Sequence, residues 1–579
     1  MNSYDADAAG TDIDAGGAAR PSYVRGADHP PLLDQTIGQA LDRAAQLWSE
    51  REAVVFPESG HRLTYRQLNS QANEFAAGLL ALGMEPGDRI GIWSPNCPAW
   101  LITQHAAAKA GLILVNINPA YRKHELEYAL NKVACSALVT ASSFKSSDYM
   151  AMLCALAPEI SHCGPNDLRA QNLPSLKLLI GIDSSELAAV MPFEGVSGTA
   201  RAPDLARVQT IGAGLRPGDA VNIQFTSGTT GAPKGATLTH RNILNNGFFV
   251  GEAIRTTQAD RICIPVPLYH CFGMCMGNLN CVSHGATAVY PGRGFDALAT
   301  LQAVESEQCT GLYGVPTMFI AMLDHPRFRE FDLSSLRGGI MAGSPCPIAV
   351  MRRVVEQMHM REITIAYGMT ETSPVSFQSS VDDPLERRVS TVGTVQPHLE
   401  VKIVGEAGQT LPRGHSGELC TRGYSVMLGY WQDEARTAEV IDAEGWMHTG
   451  DLGVIDDRGY CNIVGRIKDM IIRGGENVYP REVEEFLFKH AQVQAVSCFG
   501  VPDSRFGEEI CAWVQLRPGA TVTAEEIREF CRGEIAHYKI PRYVIFVDDF
   551  PMTVTGKIQK FIMRNKMIEQ LGLTAEGTA

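Results

Sequence analysis

Ten consecutive residues concentrate the most specific chemistry in the chain. Thr226-Ser227-Gly228-Thr229-Thr230-Gly231-Ala232-Pro233-Lys234-Gly235 carries four hydroxyls, three glycines and a lysine. The glycines let backbone approach a ligand and take unusual dihedrals, the hydroxyls supply donors, and Lys234 adds a cation. Together they describe a loop that wraps phosphate oxygens; a plain polar turn needs far fewer of these groups. The loop is not of the Walker type, which needs a lysine followed by Ser or Thr: Lys234 precedes Gly235, and the other Gly-Lys pair, Gly556-Lys557, precedes Ile558. A dinucleotide-type Gly-x-Gly-x-x-Gly after a strand and a hydrolase-type Gly-x-Ser-x-Gly are both missing. Three large enzyme classes thereby lose their usual sequence support.

Four further motifs follow in the chain: Tyr367-Gly368-Met369-Thr370-Glu371, Thr449-Gly450-Asp451, Gly465-Arg466-Ile467-Lys468-Asp469 and Gly556-Lys557. In order and approximate spacing the set resembles the adenylate-forming superfamily of acyl-CoA and aryl-CoA synthetases, peptide-synthetase adenylation domains and firefly luciferase. The resemblance runs from about residue 35 to 565. Within it the chain looks most like the medium- and long-chain fatty acyl-CoA synthetases, through Ala366 to Pro374 and Gly474-Gly475-Glu476-Asn477-Val478-Tyr479-Pro480.

The resemblance implies two half-reactions. A carboxylate resists attack by a thiol because it is anionic and lacks a leaving group; transfer of AMP from ATP removes both obstacles. Acyl-AMP and pyrophosphate form first, and the thiol of CoA then displaces AMP. Lys557, Thr229, Glu371 and His270 are the implied catalytic residues. A unit charge about 4 Å from the transferring phosphoryl group is worth about 4 kcal/mol at an effective dielectric of ~20, and Lys557 is placed for it. Glu371 would ligate Mg²⁺, a hard cation that takes one or two protein carboxylates. Thr226, Ser227, Gly228, Thr229, Thr230, Gly231 and Lys234 would hold phosphates, with Thr370 on the α-phosphate. Tyr367, Gly368 and Met369 would lie against the nucleotide, Gly343-Ser344-Pro345 along adenine, although relatives more often carry Ala or Glu where Ser344 stands. Asp451 would take the ribose hydroxyls and Arg466 the same sugar or its phosphate. Lys468 matches the hinge about which the C-terminal lobe turns, exchanging Lys557 for the Gly474-Gly475 loop, whose glycines leave width for the pantetheine arm.

The acyl pocket of that superfamily falls near residues 267–273 and 313–316. Amino-acid-activating relatives place an Asp there, whereas residues 261–290 of this chain hold no acidic group; an unpaired substrate ammonium would be costly to bury. Met274, Met276, Val282, Val315 and Met318 suggest an apolar pocket. A fatty acid is the favoured substrate. An aryl-CoA ligase, a ligase loading a carrier protein, and a non-catalytic nucleotide sensor are the alternatives.

These side chains need a scaffold, and the sequence around them alternates helix and strand. Thr64 and Gln67 make a capping box, Leu68, Ala72, Phe75, Ala76 and Leu79 recur at helical spacing, Gly83 stops the helix, and Arg89 to Trp93 reads as a strand. A helix near 99–110 leads into an apolar run at 112–115, so an α/β sheet covered by helices is expected. Residues 158–217 read as irregular connections. Residues 396–467 read as a β-rich subdomain and 468–579 as a small α+β domain. The full expectation is a disordered tail over 1–30, a large N-terminal domain of stacked α/β sheets over 31–467, and a mobile C-terminal lid over 468–579.

Composition fits such a chain. It has 579 residues and a formal net charge of −14 (50 basic, 64 acidic), which argues against nucleic acid or an anionic membrane as partner. No apolar stretch reaches bilayer-spanning length, and the N-terminus lacks a basic-then-apolar leader. The 15 cysteines are scattered with no Cys-x-x-Cys pair, as expected of reduced thiols in a cytoplasmic protein. His270, Cys271, Cys275, Cys281 and His284 match no common zinc spacing. The partners expected are a small carboxylic acid, ATP and CoA, and a homodimer is allowed.

Overall fold

A computed structural model of the protein describes residues 20–183, 187–226, 233–344, 346–553 and 556–573. Local signals set its elements. The helix Tyr65–Ala81 opens with the expected capping box, in which Gln67 N–H donates to the Thr64 side chain and the Thr64 N–H donates to the Gln67 side chain. Leu68, Ala72, Phe75, Ala76 and Leu79 are all buried along it. The strands Arg89–Trp93 and Ile113–Asn116 flank a helix, Pro98–Ala110, that is buried on nearly every side. That helix packs under Ile37–Leu47, Tyr65–Ala81 and Ala202–Gly214, which explains why it is apolar all round instead of amphipathic.

Two large sheets form the body. In the eight-stranded sheet, Val190–Pro192, Leu178–Gly181, Ala137–Thr140, Arg89–Trp93, Ile113–Asn116 and Ala220–Thr226 run parallel, and Lys234–Thr239 and Gly429–Tyr430 close one edge antiparallel. The nine-stranded sheet has a parallel centre, Glu362–Gly368, Gly338–Ala342, Gly311–Gly314, Arg261–Cys263, Thr287–Val289 and Glu52–Phe56, with antiparallel strands at both edges. Parallel strands covered on both faces read as short continuous apolar runs. This corrects the reading of 158–217 as irregular: Leu178–Gly181 and Val190–Pro192 are strands, and Phe193–Gly198 and Ala202–Gly214 are helices. Four-residue buried strands carry no alternation to detect among the surrounding Gly, Pro and Ser.

The β-rich segment forms a five-stranded antiparallel sheet, Leu399–Val404, Gly417–Gly423, Met447–Ile455 and Cys461–Arg466, with Tyr23–Arg25 as its edge. The sequence placed residues 1–30 in a disordered tail. Residues 1–19 lie outside the described residues, and Tyr23–Arg25 instead pairs with Glu400 to Lys402, a long-range contact that no local pattern announces. After a short turn, Ile467–Asp469, a small α+β lobe builds a sheet from Ile471–Arg473, Glu476–Val478, Val493–Asp503, Gly507–Leu516 and Tyr543–Phe546. All 15 cysteines are free thiols. Among the described residues no helix is long and apolar enough to cross a membrane.

Candidate active site

The candidate side chains gather where parallel strands end. Ala220–Thr226 and Lys234–Thr239 are antiparallel neighbours with Thr226 opposite Lys234, so the ends of the phosphate-type loop are held side by side. Ser227, Gly228, Thr229, Thr230 and Gly231 lie outside the described residues. Thr226 Oγ1 donates to Glu371 Oε1 at 3.1 Å and Tyr430 Oη donates to the same oxygen at 3.0 Å. Met427 N–H donates to the Glu371 backbone carbonyl. Glu371 is only 6% exposed, and among the described residues no donor is bonded to its Oε2. The Lys234 ammonium lies 4.9 Å from the centroid of the Tyr430 ring, a cation–π contact. Burial and the Glu371 charge push the Tyr430 phenol upward in pKa.

The strand Glu362–Gly368 delivers the second group. Tyr367 Oη donates to Asp451 Oδ2 at 2.6 Å, and Arg466 Nε meets Asp451 Oδ1 at 2.9 Å. Asp451 and Arg466 face each other across adjacent antiparallel strands, which sets their approach. Burial, then the Asp451 charge, raises the Tyr367 phenol, and Asp451 raises the pKa of Arg466. Gly368 has a reason different from the close ligand approach expected of it. A Cβ there would fall 1.7 Å from the Pro374 carbonyl oxygen, so the backbone itself demands glycine.

From the small lobe, a hairpin carries Lys557 to the body: Thr553 N–H donates to the Lys557 carbonyl, and Lys557 N–H donates to Thr553 Oγ1. A Cβ on Gly343 would lie 3.8 Å from Lys557 Cε. Burial, then the Arg466 cation, lowers the Lys557 pKa, with Cys271, Asp451 and Glu371 opposing. Burial and the Lys557 charge drive His270 down to about 3. Phe272 N–H donates to His270 Nδ1 at 3.2 Å, so the neutral imidazole carries its proton on Nε2. Cys271 Sγ sits 3.6 Å from that nitrogen and 4.0 Å from Thr370 Oγ1, and burial pushes its thiol up to about 12.

Thr226, Lys234, His270, Gly343, Tyr367, Thr370, Glu371, Asp451, Arg466 and Lys557 thus form one cluster. Ser344 follows Gly343 at the rim, and Met369 is half-buried beside Thr370; Pro345 lies outside the described residues. Gly474 and Gly475 do not join the cluster: with φ of +62 and +86 they make the two-residue turn between Ile471–Arg473 and Glu476–Val478. Lys468 lies exposed in the turn Ile467–Asp469 between body and lobe. Met274, Met276 and Val282 are core packing, whereas Met318 and Tyr269 line a cavity of about 320 Å³ next to Gly556.

Four residues escaped the sequence reading. Tyr430 hides in a two-residue strand. Glu418 Oε1 accepts from Gly450 N–H at 3.1 Å and its Oε2 meets His448 Nδ1 at 2.8 Å, which braces the turn before Asp451. Cys420 Sγ is 3.5 Å from the same His448 nitrogen. Among the described residues this is the grouping of His, Cys and acid closest in shape to a metal site, yet its groups already satisfy one another. Elsewhere in the stretch from His270 to His284, Cys275 Sγ donates to the Ile243 and Ser373 carbonyls, and His284 Nε2 lies 3.0 Å from Glu252.

Residues 41–431 match the AMP-binding enzyme family and residues 482–557 the AMP-binding enzyme C-terminal domain. The chain is 48% identical over 546 residues to the putative acyl-CoA synthetase YngI of Bacillus subtilis (strain 168), covering 94% of this chain and 99% of that one. It is 47% identical over 555 residues to the mitochondrial medium-chain acyl-CoA ligase ACSF2 of Danio rerio, covering 95% and 91%. Among solved structures, that of the anthranilate CoA ligase AuaEII in complex with anthranoyl-AMP superimposes with a TM-score of 0.82 at 26% identity, over 94% of this chain and 99% of the other.

Proposed function

The chain belongs to the AMP-binding enzyme family, and from that premise we propose that it joins a medium-chain fatty acid to CoA at the expense of ATP. In the first step a carboxylate oxygen attacks the α-phosphorus and pyrophosphate leaves, giving acyl-AMP. In the second, the CoA thiol attacks the acyl carbon, AMP leaves with the bond electrons, and the thiol proton is released. Similarity to a medium-chain ligase along nearly the whole chain supports the chain-length class. The observation that carries the site reading is the arrival of Lys557 from the small lobe against Gly343 of the body, its Cε 3.8 Å from where a Cβ on that glycine would lie, with the charges of Arg466, Asp451 and Glu371 near enough to act on its pKa.

Each residue type suits its task. Lys557 brings a cation to the place where two anions, carboxylate and α-phosphate, must meet. Its depressed pKa reflects a desolvated setting, where such a charge acts more strongly than in water. Asp451 holds its oxygens toward Tyr367 and Arg466, the arrangement from which it would exchange partners with ribose hydroxyls. The polar ends at Thr226 and Lys234 bracket the triphosphate. His270, neutral at working pH, serves as a hydrogen-bonding wall and not as a general base.

A buried carboxylate with one oxygen accepting two hydroxyls and the other clear of donors among the described residues fits a single-carboxylate magnesium site. Glu371 would hold Mg²⁺ there, and the ion would supply neutralising charge to the triphosphate. The lobe carrying Lys557 is read as a lid that turns about Lys468 between the half-reactions. A cytoplasmic location and a homodimer stay part of this reading; light scattering of the purified chain separates dimer from monomer.

The test is AMP release with ATP and CoA across octanoate, palmitate, benzoate and 4-coumarate. Octanoate is expected to give the highest kcat/KM. Preference for benzoate or 4-coumarate would replace the fatty acid by an aryl acid. Absence of acid-dependent pyrophosphate exchange over a broader panel would favour a nucleotide sensor.

A further inference from the structure

The turn Thr449-Gly450-Asp451 interrupts the ladder of a sheet, and three side chains outside the cluster keep the interruption in shape. Glu418 of the strand Gly417–Gly423 pairs with Leu452 of the strand Met447–Ile455, and Cys420 pairs with His448. Leu419 alone therefore faces Thr449, Gly450 and Asp451, a bulge with two residues in excess. Backbone groups in a bulge lose their ladder partners, and side chains replace them. Glu418 Oε1 accepts the Gly450 N–H at 3.1 Å, Thr449 Oγ1 donates to the Leu419 carbonyl at 2.7 Å, and the Asp451 N–H donates to Thr449 Oγ1 at 3.1 Å. Gly450 has φ +69, and a Cβ there would meet nothing within 4 Å, so glycine serves the dihedral and not the space. The Glu418 carboxylate is itself held. Its Oε2 lies 2.8 Å from His448 Nδ1, which carries its proton toward the carboxylate, and His448 Nε2 lies 3.7 Å from Asp442 Oδ2. Asp442 Oδ1 accepts the N–H groups of Glu444 and Trp446 at 2.9 and 2.8 Å, which anchors the far end in the turn leading into the strand. One line of contacts thus runs from Asp442 through His448 and Glu418 to the Gly450 N–H, one residue before Asp451.

The two oxygens of Asp451 are held toward Tyr367 Oη at 2.6 Å and Arg466 Nε at 2.9 Å. A carboxylate that exchanges those partners for two neighbouring hydroxyls must have its backbone fixed to within about 0.5 Å. Without the Glu418 carboxylate the Gly450 N–H loses its acceptor, and a bulge free to relax by one residue turns the Asp451 side chain toward the other face of the sheet. We propose that Glu418, held by His448, is a positioning residue for nucleotide selection: it aims Asp451 at the sugar hydroxyls and so lets the protein tell a ribonucleotide from a deoxyribonucleotide. The inference rests on the ribose role given to Asp451 above and adds the residues on which that role depends. Glu418 acts through the backbone of Gly450 and carries no step of the reaction.

The full-length chain is compared with Glu418→Leu, Glu418→Gln, Asp451→Ala and the double variant Glu418→Leu/Asp451→Ala. Titration calorimetry measures binding of ATP, 2′-deoxy-ATP and 3′-deoxy-ATP, and pyrophosphate exchange with octanoate gives KM and kcat for the same nucleotides. Glu418→Leu is expected to raise Kd and KM for ATP roughly tenfold and to leave kcat within about twofold of the parent. Its preference for ATP over the deoxy analogues should fall to the level of Asp451→Ala. The double variant should be no worse than Asp451→Ala, because a residue that acts only through Asp451 then has nothing left to position. Glu418→Gln should keep most of the preference, since an amide oxygen still accepts the Gly450 N–H and the amide N–H can meet the His448 tautomer protonated on Nε2. His448→Leu, which removes the brace and leaves the acceptor in place, gives the same readout at smaller amplitude if the Glu418→Leu chain does not fold. A preference that both leucine variants leave at the parent value, whatever their melting temperatures, makes Glu418 structural and overturns the proposal. Equal binding of all three nucleotides by the parent, or an unchanged preference in Asp451→Ala, overturns it through the ribose role of Asp451. Absence of exchange in the parent strikes the ligase reading alone, and the calorimetric preference still decides the role of Glu418.

Discussion

Lys557 shows how a residue acquires its chemistry from neighbours supplied by other parts of the chain. Burial and Arg466 lower its pKa below the ordinary lysine value, while Cys271, Asp451 and Glu371 hold part of its charge in place. In the role proposed for Lys557 only the protonated form stabilises the α-phosphoryl transfer, so adenylation should fall as pH rises through the depressed pKa and be retained below it. Bound ATP, being anionic, raises that pKa, which puts the alkaline limb of kcat above that of kcat/KM for ATP. Lys557→Ala should lose about 10²–10³-fold in acyl-AMP formation. Lys557→Arg should remove the alkaline limb, and a limb that persists would place the titration elsewhere. Gly556-Lys557 was legible as a motif, but its partners were not. Glu418 and His448 brace the Asp451 turn without any spacing that singles them out, and Tyr430 reaches Glu371 only through strand pairing.

At the scale of elements, the turn Ile467–Asp469 joins the last strand of the β-subdomain to the first of the small lobe. Few polar bonds cross between lobe and body among the described residues: Arg481 Nη1 to the Ile463 carbonyl at 2.6 Å and Gln494 to Asp324 at 3.3 Å. Contacts between lobes of one chain are commonly remade in a second orientation. Lys468→Pro stiffens φ at the turn and should spare acyl-AMP formation while slowing thioester formation from supplied acyl-AMP about tenfold or more. Equal loss of both half-reactions would remove the hinge role. Gly474 and Gly475 were marked by sequence for the space they leave; the structure adds that their positive φ is required by a tight hairpin turn. Helices with capping signals, such as Tyr65–Ala81, were legible to within a residue, because the signal is local. Short buried strands such as Leu178–Gly181 were not, because sheet pairing forms them and local propensity does not.

Across the whole molecule, three histidines are buried as neutral groups: burial takes His105 to about 3, His240 to about 4 and His270 to about 3. Their folded pKa values lie below the unfolded value near 6.5. Below that pH the unfolded chain takes up protons that the native chain refuses, so stability is present above 6.5 and is lost as pH falls toward 3 to 4. The urea midpoint of the body should drop steadily over that interval, at about 1.4 kcal/mol per pKa unit for each histidine. His105→Gln should flatten the drop, and an equal slope in that variant would assign acid sensitivity to other groups. By itself the sequence determined the order of the candidate site motifs, the helices with their own start and stop signals, and the division into a large body and a small C-terminal lobe, because these depend on neighbours in the chain. The tertiary structure alone decided that Thr226, Tyr430 and Glu371 share one carboxylate oxygen, that Tyr367 and Arg466 divide the oxygens of Asp451, and that Lys557 arrives beside them from the far end of the chain. Hydrogen bonds and desolvation act over a few ångströms of space, and only folding converts distance along the sequence into that proximity.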